Sequence, residues 1–192
     1  MASTTESGER RVHVVVLDAN VLYGIETTDL LLTMATRRLF RPHWSPQILA
    51  EVARNLGERP DLDSAASKRR VDLMNTALLS ANEEVPDELV TLMPVNEKDR
   101  HVLALAVKIG AQTIVTENLR DFPTELLVPY GVEALSSDSF VGGLVEDDRA
   151  AVIAAIDAMA ARRLRHPKTR VDIIASLSRY LPTAMALCDG PP

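Results

Sequence analysis

The hydrophobic pattern of the chain begins with a short apolar run over 12–17 that is rich in β-branched residues and is followed at once by Asp18. A strand that is apolar on both faces is typical of the centre of a parallel sheet covered by helices. A second run of this kind spans 112–116, and a run over 131–135 predicts an edge strand. We also predict a short strand over 90–95. These runs indicate the strands of one sheet.

Helical periodicity fills the intervals between these strands. Ser45 followed by Pro46 predicts a helix start, because a capping hydroxyl precedes a proline in the first turn, and Gly57 ends that helix. Further helices are predicted over 28–40, 64–81 and 96–110. The order of strands and helices indicates a layered α/β fold with a central parallel sheet flanked by helices.

The pattern changes after residue 143, where it becomes entirely helical. We predict a tail over 1–11, an α/β domain over 12–143 and a C-terminal helical extension over 144–192. The extension is too short to hold a hydrophobic core by itself.

Composition narrows the function classes. The 192 residues are 46% hydrophobic and 25% charged, which is ordinary for a globular protein, and a net charge of -6 gives no global attraction for phosphate. Only 4% of residues are aromatic, which argues against a base-stacking platform for single strands. Any nucleic-acid contact must therefore come from a local basic patch or from bound cations.

The cysteine content and the hydropathy of the chain indicate its cellular compartment. Cys188 is the only cysteine, which excludes an internal disulfide and a thiolate metal cluster. We find no signal peptide and no apolar stretch long enough to cross a bilayer. We therefore expect a soluble cytoplasmic protein without membrane contact.

Acidic and amide side chains follow the predicted strands. Asp18 comes directly after the first strand, and Asn118 and Asp121 follow the second. Asp99 lies in the first turn of the helix that leads into that second strand, and Glu51 borders the buried face of its helix. Each residue alone has an ordinary explanation as a turn, a helix-dipole partner or a solvated side chain. Because the carboxyl ends of parallel strands meet at one edge, we expect these groups to converge.

Such a convergence of oxygen ligands favours Mg²⁺ or Mn²⁺, since carboxylates held together repel one another without a cation. Two ions about 4 Å apart could clamp a phosphodiester, one lowering the pKa of a water molecule and the other stabilising the leaving oxygen. The metals would also let an acidic protein hold a polyanion.

Four segments resemble a known family. Residues 16–22, 45–52, 97–106 and 114–122 are similar, in order and spacing, to the motifs of PIN domains, and in particular of VapC-type ribonucleases, the toxins of bacterial type II toxin–antitoxin pairs. The resemblance covers about 12–135. It implies a PIN-like fold, a Mg²⁺- or Mn²⁺-dependent endoribonuclease acting on RNA, an antitoxin partner and a homodimer.

The resemblance also implies residue roles. Asp18, Glu51 and Asp99 match the first three family acids, which are catalytic and bind metal. Asn118 stands near the position of the fourth acid, and Asp121, three residues later, is the alternative ligand and catalytic group. This departure from the family pattern puts a second metal in more doubt than the first.

Further polar residues are weaker candidates. Asn20 and Thr116 match family positions that would orient the ligands or a water molecule. A basic run near the C terminus is either an RNA contact or a solvated helix end. Its members are Arg162, Arg163, Arg165, Lys168 and Arg170. The four histidines form no ligand set, and His101 is predicted to point away from the side of Asp99.

The favoured hypothesis is a metal-dependent endoribonuclease that is the toxin of a toxin–antitoxin pair. One alternative is a non-catalytic PIN-like module that binds protein or RNA, which is favoured if Asn118 abolishes metal binding. A less favoured alternative is a phosphatase of the haloacid dehalogenase type. That chemistry needs an aspartate two residues after Asp18, where this chain has Asn20.

Overall fold

A parallel sheet of four short strands lies at the centre of the molecule, in the part of the chain that the computed structural model describes, residues 12–58 and 64–189. The strand order is β2-β1-β3-β4, and every neighbouring pair is parallel. The strands are β1 (Val14–Leu17), β2 (Arg41–His43), β3 (Thr113–Val115) and β4 (Glu133–Leu135). The predicted α/β fold with a central parallel sheet is confirmed.

The strand order places a crevice at the end of β1. The chain leaves β1 toward β2 on one side, whereas β3 pairs with β1 on the other side, with Leu17 beside Val115. Right-handed crossovers then put helices on both faces of the sheet. In open parallel sheets, ligands bind outside the carboxyl ends of the strands at such a reversal. Asp18 follows β1 at this edge, and its backbone N–H donates to Val115 O at 3.0 Å.

Helices fill the connections between strands and form the C-terminal region. Their bounds are α1 (Ile25–Thr36), α2 (Pro46–Gly57), α3 (Ser64–Ala77), α4 (Asp87–Thr91), α5 (Arg100–Ile109), α6 (Thr124–Leu127), α7 (Ser137–Arg162), α8 (Arg170–Leu177) and α9 (Pro182–Asp189). The predicted start of α2 is confirmed, because Ser45 Oγ accepts a hydrogen bond from Ile48 N at 3.2 Å. None of the described helices combines the length and the apolar character that a bilayer crossing needs.

The structure differs from the prediction at three places. The segment 90–95 is not a strand: it begins at the end of α4 and continues as a turn with an exposed Leu92. Strand β2 was missed, because its three residues include an exposed Arg41 and a proline and show no alternation. The helix predicted over 28–40 begins earlier and ends at Thr36, since the chain reverses at Arg38, whose φ of 63° is left-handed.

Two buried aromatic residues connect elements that are distant in sequence. Trp44 is fully buried after β2, and its Nε1–H donates to Asn75 Oδ1 on α3 at 3.1 Å. Phe40 packs edge-on against Phe140 on α7, with ring centroids 5.0 Å apart. Helix α7 is broken at Asp148, whose Oδ1 caps the following segment by accepting from Ala151 N. The C-terminal helices therefore share the core of the sheet.

Candidate active site at the carboxyl edge of the sheet

Asp18 is a nearly buried carboxylate at the end of β1. Its Oδ1 accepts a hydrogen bond from Ala19 N at 2.7 Å, and its Oδ2 accepts one from the Thr116 hydroxyl, also at 2.7 Å. Burial raises the pKa of Asp18, these hydrogen bonds oppose the rise, and the nearby Glu51 carboxylate adds to it. Because burial penalises the charged form, a cation at this position would be favourable.

Asn20 links Asp18 to the end of β3. Its side-chain N–H donates to Asp18 Oδ2 at 2.8 Å, and its Oδ1 accepts from Glu117 N at 3.0 Å. The N–H of Asn118 donates to Thr116 Oγ1 at 3.0 Å. Asn20 and Thr116 thus lie directly beside Asp18, where they fix the orientation of its carboxylate. Their catalytic role stays a prediction.

Asp99 lies at the end of a 3₁₀ turn, Glu97–Asp99, immediately before α5. Its Oδ2 is buried and has no hydrogen-bond partner among the described residues. Burial raises the pKa of Asp99 to about 6; Lys98 opposes this rise, and the carboxylates of Asp121 and Asp18 add to it. A buried carboxylate oxygen without a hydrogen bond is costly unless a cation or proton binds it closely.

Asp121 carries a lysine partner that the sequence analysis missed. It ends the 3₁₀ turn Leu119–Asp121, and its Oδ2 accepts a hydrogen bond from Lys98 Nζ at 2.6 Å. The side chain of Asn118 donates to the same oxygen. Lys98 Nζ is also 3.8 Å from Asp99 Oδ2. The hydrogen bond from Lys98 lowers the pKa of Asp121, so this carboxylate is ionised near neutral pH.

Glu51 on α2 is held by a histidine from α5. His101 Nε2 lies 3.1 Å from Glu51 Oε1, and the imidazole is almost completely buried. The prediction placed His101 outside the site, whereas the structure puts it against a predicted ligand. Spacing within one helix could not show this contact, because it forms between two helices that are distant in sequence.

Arg70 holds the loop that follows Asp18. Its guanidinium donates to the carbonyl oxygens of Leu22 at 3.1 Å and Gly24 at 3.0 Å, and to Thr28 Oγ1 at 2.8 Å. Helix α3 thereby fixes the connection between β1 and α1. A guanidinium suits this task because its donors form a rigid fork.

We call the side chains of Asp18, Glu51, Asp99 and Asp121 the carboxylate cluster. Electrostatic coupling joins Asp18 to Glu51 and Asp99 to Asp121. Over residues 12–58 and 64–189, no three His, Cys, Asp or Glu side chains are close enough to share a metal ion. The donors are nonetheless all oxygens, and one buried oxygen lacks a hydrogen bond, which fits a hard divalent cation such as Mg²⁺ or Mn²⁺. The donor chemistry of the cluster therefore suits an ion, whereas the spacing of its carboxylates in the described residues is wider than a shared ion needs.

The predicted RNA-binding run lies elsewhere and is largely neutralised within the chain. Arg162 donates to Asp29 Oδ1 at 2.8 Å, and Lys168 donates to Glu26 Oε1 at 2.8 Å. Arg163 lies 3.5 Å from Glu26 and 3.8 Å from Asp29. These pairs fasten the C-terminal helices to α1, and we call them the α1 docking contact.

The two remaining members of the run differ from each other. Arg170 forms a two-pronged ion pair with Asp157, at 2.7 and 2.6 Å. Arg165 is exposed and forms no ion pair with any residue that the structure describes. Contact of this run with RNA stays a prediction, and Arg165 is the member whose charge has no acidic partner within the described chain.

A comparison with protein families identifies the class of protein. The family model described as PIN domain matches residues 14–120, more than half of the chain. The matched segment includes β1 and β3 and three members of the carboxylate cluster, and it stops one residue before Asp121. The chain therefore belongs to the PIN domain family, and this membership speaks against the haloacid dehalogenase alternative.

A comparison with curated proteins finds one significant relative. A protein of Mycobacterium tuberculosis (strain ATCC 25618 / H37Rv) named "Putative ribonuclease VapC50" is 35% identical over 96 residues. The match spans 50% of this chain and 57% of the relative's length. No solved structure matches significantly.

Proposed function

We propose that this chain is a metal-dependent endoribonuclease that acts as the toxin of a toxin–antitoxin pair. The observation that carries the proposal is the carboxylate cluster at the strand-order reversal, with a buried oxygen on Asp99 that has no hydrogen-bond partner among the described residues. Family membership and the ribonuclease name of the relative support it. The cytoplasm, where RNA and an antitoxin would be met, is the proposed location.

Asp18, Glu51 and Asp99 would hold Mg²⁺ or Mn²⁺, with Asp121 or the amide oxygen of Asn118 as a further ligand. The ion would acidify a water molecule and stabilise negative charge on the scissile phosphate. The protein itself would have to bind and orient the RNA and keep the carboxylates ionised.

The protein orients its carboxylates through fixed hydrogen bonds. The Thr116 hydroxyl and the Asn20 amide both donate to Asp18 Oδ2, so this oxygen keeps one direction. His101 Nε2 lies within hydrogen-bond distance of Glu51 and would hold the Glu51 carboxylate toward the site. Such supporting contacts place ligands before an ion arrives, which lowers the cost of binding it.

A groove between α1 and α3 supports the proposed antitoxin partner. It has a volume of about 680 Å³ and is lined by Ile25, Leu32, Leu73 and Met74, together with Arg162. Leu73 is 69% exposed and Ile25 is 50% exposed. Apolar side chains left open in a groove are typical of sites where an amphipathic helix docks. A homodimer through the same face is the competing use of this groove.

The domain division also belongs to the proposal. We propose a PIN domain over 12–143 and a helical extension over 144–192, while the tail over 1–11 lies outside the described residues. Helix α7 runs through the proposed boundary, from Ser137 to Arg162, and its break at Asp148 lies five residues beyond it. The extension would act as a brace on the PIN domain rather than as an independent unit.

The function is tested by cleavage of a mixed, structured RNA pool with the purified protein. The reactions contain Mg²⁺, Mn²⁺ or EDTA, and the Asp18→Asn variant is run beside the wild type. We expect discrete cuts that require the metal and are lost in the variant. Cuts that persist in EDTA or in the variant would contradict the proposal.

A second candidate, a non-catalytic binding module, is favoured by the spacing of the acids, since no three of them in residues 12–58 and 64–189 are close enough to share an ion. Calorimetry with Mn²⁺ separates the two. Binding that is lost in Asp18→Asn supports a metal site, whereas the absence of any binding and cutting would favour the module.

A further inference from the structure

Lys98 places a positive charge against the carboxylate cluster. Its Nζ is 2.6 Å from Asp121 Oδ2 and 3.8 Å from Asp99 Oδ2, while its side chain is 60% exposed. Packing therefore does not hold this side chain in place. The ammonium group is held by the charges of the cluster, and it comes from the residue directly before Asp99.

The surroundings of Asp121 favour a single positive charge at this position. Asp121 Oδ2 accepts hydrogen bonds from both Lys98 and Asn118, so this oxygen is fully engaged. Asn118 is neutral, so the contacting side chains of Asn118 and Asp121 carry one negative charge between them. The ammonium group of Lys98 balances the negative charge of the Asp121 carboxylate.

A divalent ion and this ammonium group compete for the same side of the cluster. Two cations a few ångströms apart repel each other even in a medium as polar as water. An ammonium group also has three N–H donors, and Asp121 uses one, so the others can meet a phosphate oxygen. The lysine side chain can thus neutralise negative charge as a second metal ion would.

We propose that the Lys98 ammonium is the second cation of the site, a substrate-facing group that leaves the carboxylate cluster room for one divalent ion. This inference rests on the proposed ribonuclease function. It makes the chain a one-metal nuclease in which lysine stands beside the ion and contacts the RNA phosphate.

The test is calorimetric titration of the full-length protein with MnCl₂. Lys98→Met removes the charge, Lys98→Arg keeps it, and Lys108→Met is a matched control. Lys108 lies at the other end of α5, where it is paired with Glu83 at 3.2 Å. Thermal melting of each variant checks folding, which an exposed side chain at position 98 should leave unchanged.

We expect one Mn²⁺ per chain for the wild type, Lys98→Arg and Lys108→Met. Lys98→Met should bind a second Mn²⁺, and its first ion should bind about tenfold more tightly because the repulsion is gone. RNA cleavage by Lys98→Met should change from first to second order in Mn²⁺.

The outcomes separate the two proposals. Two Mn²⁺ per wild-type chain, or a Lys98→Met variant with unchanged stoichiometry and affinity, would overturn the role of Lys98 while leaving metal-dependent cleavage intact. A wild type that binds no Mn²⁺ and cuts no RNA would overturn both.

Discussion

Two charged regions of this molecule use the same residue types but balance them differently. In the α1 docking contact, Glu26 and Asp29 meet Arg162, Arg163 and Lys168, so positive groups outnumber negative ones and every carboxylate is paired. In the carboxylate cluster, four acids meet Lys98 and the buried His101.

The difference distinguishes structure from binding. Paired charges between α1 and the C-terminal helices fix one element on another, and each carboxylate there has a cation as its partner. At the sheet edge, an oxygen of Asp99 is buried without a hydrogen-bond partner, and its pKa is raised to about 6. A fold that tolerates such a cost points to a site where another group binds.

The largest expected effect is the loss of RNA cleavage in one of two variants at similar aspartates. Asp121 and Asp157 are both surface carboxylates, each held by a cation at 2.6 Å. Asp121→Asn should lower metal-dependent RNA cleavage about a hundredfold, because it removes a group of the cluster. Asp157→Asn should change cleavage less than about twofold, since its role is local. Equal cleavage rates for the two variants in a gel assay would contradict a functional difference between the carboxylate cluster and the structural ion pairs.

Glu26→Gln should lower the stability of the fold and leave RNA cleavage unchanged. Burial alone would raise the pKa of Glu26, but hydrogen bonds from Lys168 and Ser176 hold it below its ordinary value. We expect the free energy of unfolding in urea to fall by about 2 kcal/mol at pH 7, because partly buried cations lose their partner. The loss should shrink as the pH falls through the lowered pKa, where the wild-type carboxyl is itself protonated.

The control for Glu26 is Glu83→Gln. Glu83 forms a more exposed pair with Lys108, so its loss should cost less than about 0.5 kcal/mol. A Glu26→Gln protein of unchanged stability would show that the docking contact does not brace the molecule.

His101→Phe should weaken Mn²⁺ binding about tenfold, because Glu51 loses the group that orients it. His43→Phe is the matched control, since His43 is also buried but lies on β2 away from the cluster. Calorimetry on the two variants decides the question. Equal affinities would mean that His101 serves only packing.

Asp99→Asn should stabilise the metal-free protein at high pH. The folded-state pKa of about 6 lies above the ordinary value of 3.8, so ionisation of Asp99 opposes folding. This cost is fully present above about pH 6 and absent below about pH 4. In EDTA, we expect the variant to be more stable than the wild type by on the order of 1 kcal/mol at pH 8 and equal to it at pH 4. A constant difference across this range, measured by urea unfolding, would contradict the shifted pKa.

The sequence predicted the elements that have a strong local signal. The apolar run before Asp18 became the central strand, and the capping hydroxyl of Ser45 started α2 as expected. The run over 131–135 became the edge strand β4. Strand β2 was not predicted, because three residues with an exposed Arg41 show no periodicity. Its pairing with β1 is a tertiary effect.

The site was predictable only in part, for a similar reason. Asp18 and Thr116 could be brought together from topology, because both end parallel strands. The contacts of Lys98 with Asp121 and of His101 with Glu51 cross between elements, and no spacing within one element encodes them. The basic run near the C terminus suggested RNA because the acids that pair with Arg162 and Lys168 are more than a hundred residues away in the chain.

The position of Trp44 gives the protein a built-in optical reporter. It is the only tryptophan, it is fully buried, and its indole N–H is held by Asn75 on α3. It also immediately precedes the residue that caps the helix carrying Glu51. Its fluorescence therefore comes from one apolar environment, and exposure to water on unfolding should shift the emission to longer wavelength. Each variant described above can thus be compared by intrinsic emission, without a dye or an added label.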